Sequence, residues 1–187
     1  MKKDAAFDDI ANQFIWMEKN ARDSKTGLLY HGWDESREEK WADKTTGKSP
    51  NFWGRAMGWY IMALVDVLDY FPKNHPKYNE LVAILNRTAT VTVKYQDAKS
   101  GVWFDILDMP KREGNYLESS ASSMFVYGLA KGVRKGWLPK TFTAAANKGY
   151  AGLKKEFVEQ AGTERVNLTK TVSVSGLGGK PKYRDGS

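Results

Sequence analysis

Two eight-residue segments of this chain, Asp23–Tyr30 and Asp97–Phe104, repeat one pattern and limit the folds that the chain can adopt. Both contain Asp, Lys, a small hydroxyl residue, Gly and a terminal aromatic residue at matching positions. Each follows a stretch with helical spacing of apolar residues, and each precedes a long loop, another helix, a short turn and a further helix. This repeat, with long loops at one end and short turns at the other, predicts an α/α toroid of helical hairpins.

The apolar spacing predicts five helices, over residues 4–22, 51–70, 78–95, 118–134 and 141–160. It also predicts one short strand at 28–31 and a strand-like segment at 166–175. A closed six-hairpin toroid needs two helices in each hairpin, so this chain supplies fewer than half. We therefore predict an all-α fold, a single domain over residues 1–187 that forms a partial (α/α)6 toroid with long rim loops. Apolar helix flanks at its open sides predict a second copy, a complementary half or a larger enzyme as partner.

Composition excludes several classes of function. The 187 residues are 27% charged and 41% hydrophobic, which is typical of a soluble globular protein. The absence of cysteine excludes disulfides, thiolate metal sites and cysteine nucleophiles. No apolar run approaches the ~20 residues of a membrane span, and the charged start Met1-Lys2-Lys3 favours a cytoplasmic location without membrane contact. The net charge of +7 is spread without a nucleic-acid motif, so it indicates attraction of an acidic ligand such as a uronate rather than of nucleic acid.

Trp53 and Trp59 flank Arg55 in a predicted apolar helix. Either indole can be a stacking surface for a sugar ring or a core residue. Arg55 needs an anionic partner, and both an internal carboxylate, Asp34 or Glu35, and the carboxylate of a bound uronate fit this need. Arg55 and Trp59 share a helix face, whereas Trp53 can join them only if it lies before the first full turn.

Other polar residues leave similar alternatives open. His31 is either a hydrogen-bonded loop residue or a ligand-binding one, and Trp33 lies in a polar loop where core packing is less expected. Asp34 and Glu35 are adjacent, so their side chains point in different directions and do not form an acid and base pair. Glu118 fits the start of a helix at the rim. His75, in a short connector, is predicted to lie on the surface.

Ordered motifs along nearly the whole chain resemble those of one enzyme group. The motifs are Leu28–Ser36, Trp53–Trp59, Leu64–Asp69, Tyr95–Asp97, Glu118–Phe125 and Arg184–Ser187. They resemble the unsaturated rhamnogalacturonyl hydrolases of glycosyl hydrolase family 105, which are close to the unsaturated glucuronyl hydrolases of family 88. The resemblance implies an (α/α)6 barrel that cleaves a terminal unsaturated galacturonate from rhamnose in pectin fragments, with no metal or cofactor.

The resemblance also implies a mechanism and a set of site residues. In the family an Asp protonates the C4=C5 double bond and activates water for addition at C5, and the resulting hemiketal collapses to release the sugar. By motif, the substrate-binding positions match His31, Trp53, Arg55 and Trp59. The lower-ranked residues near the site are Trp33, Asp34 and Glu118, to which the motifs assign no role.

The sequence departs from the family pattern in two places. Ala56-Met57 occupies the place where some members have Gly-Asn. This difference leaves the fine substrate preference open. No aromatic-rich Asp motif of the acid/base type is found, and the acidic residues near the start, Asp4, Asp8 and Asp9, do not match it. We therefore leave the catalytic residue unassigned and expect the acid/base Asp to lie N-terminal to this chain. The alternative is a non-catalytic carbohydrate-binding or structural remnant.

Overall fold

A computed structural model describes residues 3–163, 165–173 and 176–177 of the chain. Most of the regular structure is helical, and a small antiparallel pair of strands follows the last helix. The elements are α1 (Lys3–Ala21), α2 (Gly54–Val67), α3 (Tyr78–Lys94), α4 (Ser119–Arg134), a 3₁₀ turn (Lys140–Phe142), α5 (Thr143–Phe157), β1 (Val158–Gln160) and β2 (Val166–Leu168). The all-α class, the five helices and the partial toroid with long rim loops are thus confirmed.

Three predicted helix boundaries are wrong: α2 ends at Val67 rather than at residue 70, and at the other two boundaries a distant segment pairs with the chain. Helix α2 begins at Gly54 rather than at Asn51, since the main-chain oxygen of Phe52 accepts a hydrogen bond from Leu107 N–H over 3.1 Å. Helix α5 ends at Phe157 rather than at residue 160, because residues 158–160 form β1 and pair with β2.

The two strand predictions are correct only in part. The predicted segment 166–175 is a strand only at Val166–Leu168, and its residues 174–175 lie outside the described part. Likewise, the predicted strand at 28–31 is reduced to an isolated bridge between Arg22 and Leu29.

Contacts between the helices show which of them run in the same direction. Helix α1 runs antiparallel to α2, because the Tyr60 hydroxyl on α2 donates to the Phe14 carbonyl oxygen while Phe71, just beyond α2, meets Phe7. Helix α2 runs parallel to α4, since Gly58 faces Met124 near their starts and the two helices are also in contact one or two turns further on. The starts of α2 and α4 therefore lie at the same end of the molecule, where the two long loops also end.

Glycines allow α2 and α4 to approach closely. A Cβ atom on Gly128 would lie 3.0 Å from Ile61 Cγ1, and one on Gly58 would lie 2.9 Å from Met124 Cε. At the far end, the buried Lys131 ammonium pairs with two carboxylates of the α2 side, Asp66 at 2.7 Å and Asp69 at 2.6 Å. The two helices are thus fixed along their whole length.

The repeated segments fold into the same turn. In the first, Gly27 N–H donates to the Asp23 carbonyl oxygen over 2.9 Å, and the Asp23 carboxylate accepts from Thr26 N–H and Oγ1–H. In the second, Gly101 N–H donates to the Asp97 carbonyl oxygen over 2.9 Å. Both glycines have positive φ, 81° and 78°, a conformation that favours glycine.

A third copy of this turn was not predicted. Gly47 N–H donates to the Asp43 carbonyl oxygen over 2.7 Å, Thr46 donates to the Asp43 carboxylate, and Gly47 has φ of 74°. The shorter pattern Asp-x-x-Thr/Ser-Gly would have found it. This copy lies inside the first long loop and helps to order that loop.

The prediction that His75 lies on the surface is wrong. Its side chain is 9% exposed and packs edge-on against Phe71, with ring centroids 4.9 Å apart. The short connector folds back onto α1, where His75 faces Asp8 at 3.7 Å. Within the part of the chain that the structure describes, no helix is both long and apolar enough to cross a membrane.

Candidate functional site

Trp53 lies immediately before helix α2 in an extended conformation, with φ of −80° and ψ of 118°. It therefore meets the condition for sharing a surface with Arg55 and Trp59, because it precedes the first helical turn. Its main chain forms an isolated antiparallel bridge with Ile106, in the loop between α3 and α4. Its indole N–H donates to the Asp105 carboxylate over 2.9 Å.

Arg55 lies in the first turn of α2 and is half-buried. Its Nη1 donates to Ser120 Oγ over 2.6 Å, and its guanidinium carbon lies 5.9 Å from the centre of the Trp59 ring. The Trp59 side chain is 53% exposed. Among the residues that the structure describes, no carboxylate pairs directly with Arg55, so neither Asp34 nor Glu35 is its partner.

Glu118 stands behind Arg55 and is connected to it through Ser120. The Ser120 hydroxyl donates to the Glu118 carboxylate, with distances of 2.9 and 2.8 Å to its two oxygens. The same carboxylate accepts main-chain N–H groups of Ser120, Ala121 and Val172, and Glu118 is fully buried. Glu118 therefore caps the start of α4 and holds the segment around Val172 against it.

His31 comes from the first long loop and meets the edge of Trp53. The two rings are 5.5 Å apart at an angle of 77°. The His31 Nδ1 atom lies 3.0 Å from the Asn51 carbonyl oxygen and 3.2 Å from Ser49 Oγ. Since a carbonyl oxygen only accepts hydrogen bonds, Nδ1 carries a proton, which fixes the tautomer of the neutral ring.

Trp33 and Asp34 support the loop rather than joining these residues. The Asp34 carboxylate accepts N–H groups of Ser36 at 3.1 Å and Glu39 at 3.0 Å, and these hydrogen bonds, led by that of Glu39, lower the Asp34 pKa. Trp33 donates its indole N–H to the Thr46 carbonyl oxygen over 3.1 Å. Both contacts lie within the first long loop, and no described contact joins Trp33 or Asp34 to Arg55.

A pocket of about 290 Å³ opens beside His31 and Trp59. Its walls come from α1, the first long loop and the first turns of α2, and they are mostly apolar. The lining residues are Met17, Leu29, Tyr30, His31, Ala56, Met57, Trp59 and Tyr60. Such a pocket can take the apolar face of a sugar ring.

Sequence reasoning missed Asp105, which is only 3% exposed. Burial raises the pKa of Asp105 to about 6, the Glu118 charge adds to this effect, and the Trp53 N–H, Arg112 and Arg55 oppose it. Burial, together with the charge on Asp105, also raises the pKa of Tyr116 to about 12. A lone Asp in an irregular loop gave no local signal, because its importance depends on pairing with residues 53–54.

Comparison with known proteins places the chain among the glycoside hydrolases. The family model described as Glycosyl Hydrolase Family 88 matches residues 1–186. The chain therefore belongs to glycosyl hydrolase family 88. Among the described residues, no group of three His, Asp or Glu side chains is placed to hold a metal ion.

Solved and curated proteins are also similar to this chain. A glycoside hydrolase of family 105 from C. acetobutylicum ATCC 824 is 52% identical, with a TM-score of 0.95 over 99% of this chain and 51% of that one. Protein Atu3128 of Agrobacterium fabrum is 38% identical over 86% of this chain and 70% of its own length. The unsaturated rhamnogalacturonyl hydrolase YesR of Bacillus subtilis is 29% identical over 96% of this chain and 47% of its own length. The chain thus spans about half the length of two of these three relatives.

Proposed function

We propose that this chain forms the uronate-binding wall of a glycoside hydrolase that acts on a terminal unsaturated galacturonate. The reaction is hydration of the C4=C5 bond, which releases the uronate from rhamnose in pectin fragments. The observation that carries the proposal is the half-buried Arg55 guanidinium, which lies 5.9 Å from the centre of the Trp59 ring and touches only a neutral hydroxyl among its described hydrogen-bond partners. The name of the B. subtilis relative supports the same substrate class.

Each residue of the wall has a chemical role in this proposal. Arg55 binds the uronate carboxylate, because a guanidinium pairs with carboxylate in a fixed, bidentate geometry. The indoles of Trp53 and Trp59 stack on C–H faces of the sugar rings. His31 is assigned to the same substrate-binding set by the family resemblance, and the hydrogen bond at its Nδ1 atom fixes the tautomer of the neutral ring.

The chemical step is an addition of water to the ring double bond. A general acid transfers a proton to C4, and water, deprotonated by a general base, forms a bond to C5. The product is a hemiketal, which opens and releases the second sugar with its bridging oxygen. The acid/base Asp that the family resemblance implies, expected N-terminal to this chain, stays a prediction.

The setting of the enzyme is part of the same proposal. We place it in the cytoplasm, where it takes unsaturated oligosaccharides and no nucleic acid or membrane. The open sides of the partial toroid are covered by a second copy or by a complementary half. The single domain over residues 1–187 is then one part of a larger assembly.

Binding of an unsaturated galacturonyl-rhamnose disaccharide tests this function. We expect the full chain to bind the sugar in a calorimetric titration, and Arg55→Ala to weaken binding on the order of tenfold or more, as for loss of a hydrogen-bonded charge. Arg55→Lys keeps the charge without the planar fork and should lie between the two. Arg134→Ala, on the exposed end of α4, is the matched control and should bind as the wild type does.

Loss of the ultraviolet absorbance of the C4=C5 bond provides the test for catalysis. Binding without turnover would support the proposed uronate-binding role of this chain and would agree with an acid/base group outside it. Equal affinity of the wild type and Arg55→Ala would remove Arg55 from the site. Absence of any binding by the wild type would favour the structural-remnant alternative.

A further inference from the structure

We propose that Asp105 is a positioning residue that fixes the indole ring of Trp53 at the candidate site. Its effect on sugar binding rests on the proposed function, whereas its effect on Trp53 itself does not. No motif of the family resemblance includes Asp105, and the inference comes from the way two loop segments meet at the start of α2.

The main chain holds Asp105 at a fixed place beside Trp53. Gly54 N–H donates to the Asp105 carbonyl oxygen over 2.7 Å, and Asp105 N–H donates to the Tyr116 carbonyl oxygen over 2.8 Å. A Cβ atom on Gly54 would lie 3.0 Å from the Phe104 carbonyl oxygen, so a glycine is needed for this approach. The distance between the two side chains is therefore determined by the backbone.

The side-chain contact then determines the direction of the ring. The Trp53 indole N–H is the only polar group of that ring, and it donates to Asp105 Oδ1 over 2.9 Å. A carboxylate acceptor makes this bond stronger than a neutral acceptor would. The edge-on contact with His31 further limits the orientations that the Trp53 ring can adopt.

The surroundings of Asp105 make the strength of this contact depend on pH. The groups that face it are Trp53, Glu118, Arg55, Arg112 and Tyr116. Burial and the Glu118 charge favour the protonated form, and the raised pKa of about 6 places the change within an accessible pH range. Protonation removes the charge of the acceptor, so the hold on the indole weakens as the pH falls.

An experiment without sugar tests the positioning directly. In the ¹⁵N-labelled full chain, the Trp53 indole resonance is assigned with Trp53→Phe. We expect it to shift between about pH 7.5 and about pH 5 in the wild type, with a midpoint close to the Asp105 pKa. Asp105→Asn keeps a neutral acceptor oxygen, so the resonance should not titrate and should stay close to its low-pH position in the wild type. Asp105→Ala should shift it at every pH and speed its exchange with water on the order of tenfold.

Asp108→Asn is the matched control, since Asp108 lies in the same loop, has no described contact with Trp53 and also has a pKa raised by burial. It should leave the titration of the Trp53 indole unchanged. The six other indole resonances report whether each variant is folded. An indole of Trp53 that does not titrate in the wild type, or that is unchanged in Asp105→Ala, would overturn the proposal.

Sugar binding separates this proposal from the proposed function. If Trp53 is a binding residue, Asp105→Ala should weaken disaccharide binding about as much as Trp53→Phe does. The double variant should lose little further affinity, because the two residues act as one unit. Additive losses in the double variant would contradict the positioning role. If the indole responds as expected but the wild type binds no disaccharide, positioning stands and the proposed function fails.

Discussion

At the scale of single residues, the candidate site contains partly exposed groups held by buried acidic ones. Trp53 is held by Asp105, and Arg55 is held by Glu118 through Ser120. The partly exposed members could be predicted, because aromatic residues around a lone Arg in an apolar helix already indicate a binding surface. Their binding role stays a prediction, while their proximity is a property of the structure.

The buried acidic groups could be predicted only in part. Glu118 precedes a helix with Ser at the next two positions, which is a local signal for a helix start. Asp105 has no such signal, because it reaches Trp53 across a separation of 52 residues in the chain. Long-range pairing between irregular loops is the information that a sequence pattern lacks.

Asp105 should make the unfolding free energy depend on pH. Its pKa is about 6 when folded and near 3.8 when unfolded, so between these values the folded protein binds more protons. The contribution of Asp105 to stability is therefore largest below pH 3.8, falls as the pH rises to about 6, and stays low above it.

Asp105→Asn should remove this dependence. The unfolding free energy of the variant, relative to that of the wild type, should therefore rise by up to ~3 kcal/mol from acidic to neutral pH. Urea unfolding at several pH values measures the difference. Asp34→Asn is the contrasting control, because the Asp34 pKa is lowered and its stabilising contribution is lost as the pH falls. The same pH profile for Asp105→Asn and the wild type would contradict the assignment.

Glu118 should matter to stability even without a ligand. Its carboxylate accepts three main-chain N–H groups and one hydroxyl, so Glu118→Gln would place an amide NH₂ against N–H donors. We expect a loss of about 3 kcal/mol in urea unfolding. Glu113→Gln, an exposed change in the preceding loop, should cost less than about 0.5 kcal/mol. Equal unfolding midpoints for the two variants would show that the Glu118 hydrogen bonds are not important for stability.

At the scale of elements, apolar spacing was enough to find all five helices, since each buries one face. The helix ends were less predictable where a distant segment competes for the chain. Residues 52–53 are extended because they pair with 106–107, and residues 158–160 are extended because they pair with 166–168. The first pairing leaves no mark in the local sequence, whereas the second is indicated only on its partner side, by the strand-like alternation that begins at Val166.

The close contact of α2 and α4 predicts the effect of Gly128→Ala. Helix propensity alone would make this change stabilising by about 1 kcal/mol, the amount that Ala130→Gly on the exposed face should lose. The new methyl group would instead lie 3.0 Å from Ile61 Cγ1, so we expect a net loss of about 1–2 kcal/mol. Thermal unfolding measures both variants, and stabilisation by Gly128→Ala would show that the helices separate easily.

At the scale of the whole molecule, the chain is a partial toroid that spans 51% of its C. acetobutylicum relative. The covering partner stays a prediction, and Trp16 on α1, which is 54% exposed, is one aromatic residue available to such a partner. Helix count alone was enough to predict the partial ring. The identity of the partner could not be predicted, because the apolar spacing of one chain does not specify which molecule covers its open sides.

Self-association provides a test at this scale. We expect light scattering to give a mass above 21.1 kDa for the isolated chain, because apolar flanks are removed from water when copies pair. Trp16→Glu should shift the distribution toward the monomer, whereas Tyr150→Glu, on the exposed side of α5, is the comparison. A monomer at every concentration would show that a second copy is not the partner.

Arg55 lies in the first turn of α2, where a helix concentrates the positive end of its dipole and ordinarily favours Asp or Glu. This turn has no acidic residue, and no side chain caps it. At the neighbouring helix end, the Glu118 carboxylate neutralises the start of α4. The two neighbouring helix ends therefore differ: the start of α4 is capped by a carboxylate, whereas the first turn of α2 contains a cation and has no side-chain cap. An anion bound there would interact favourably with both the helix dipole and the Arg55 guanidinium. The carboxylate of an acidic sugar would thus supply the negative charge that the first turn of α2 lacks.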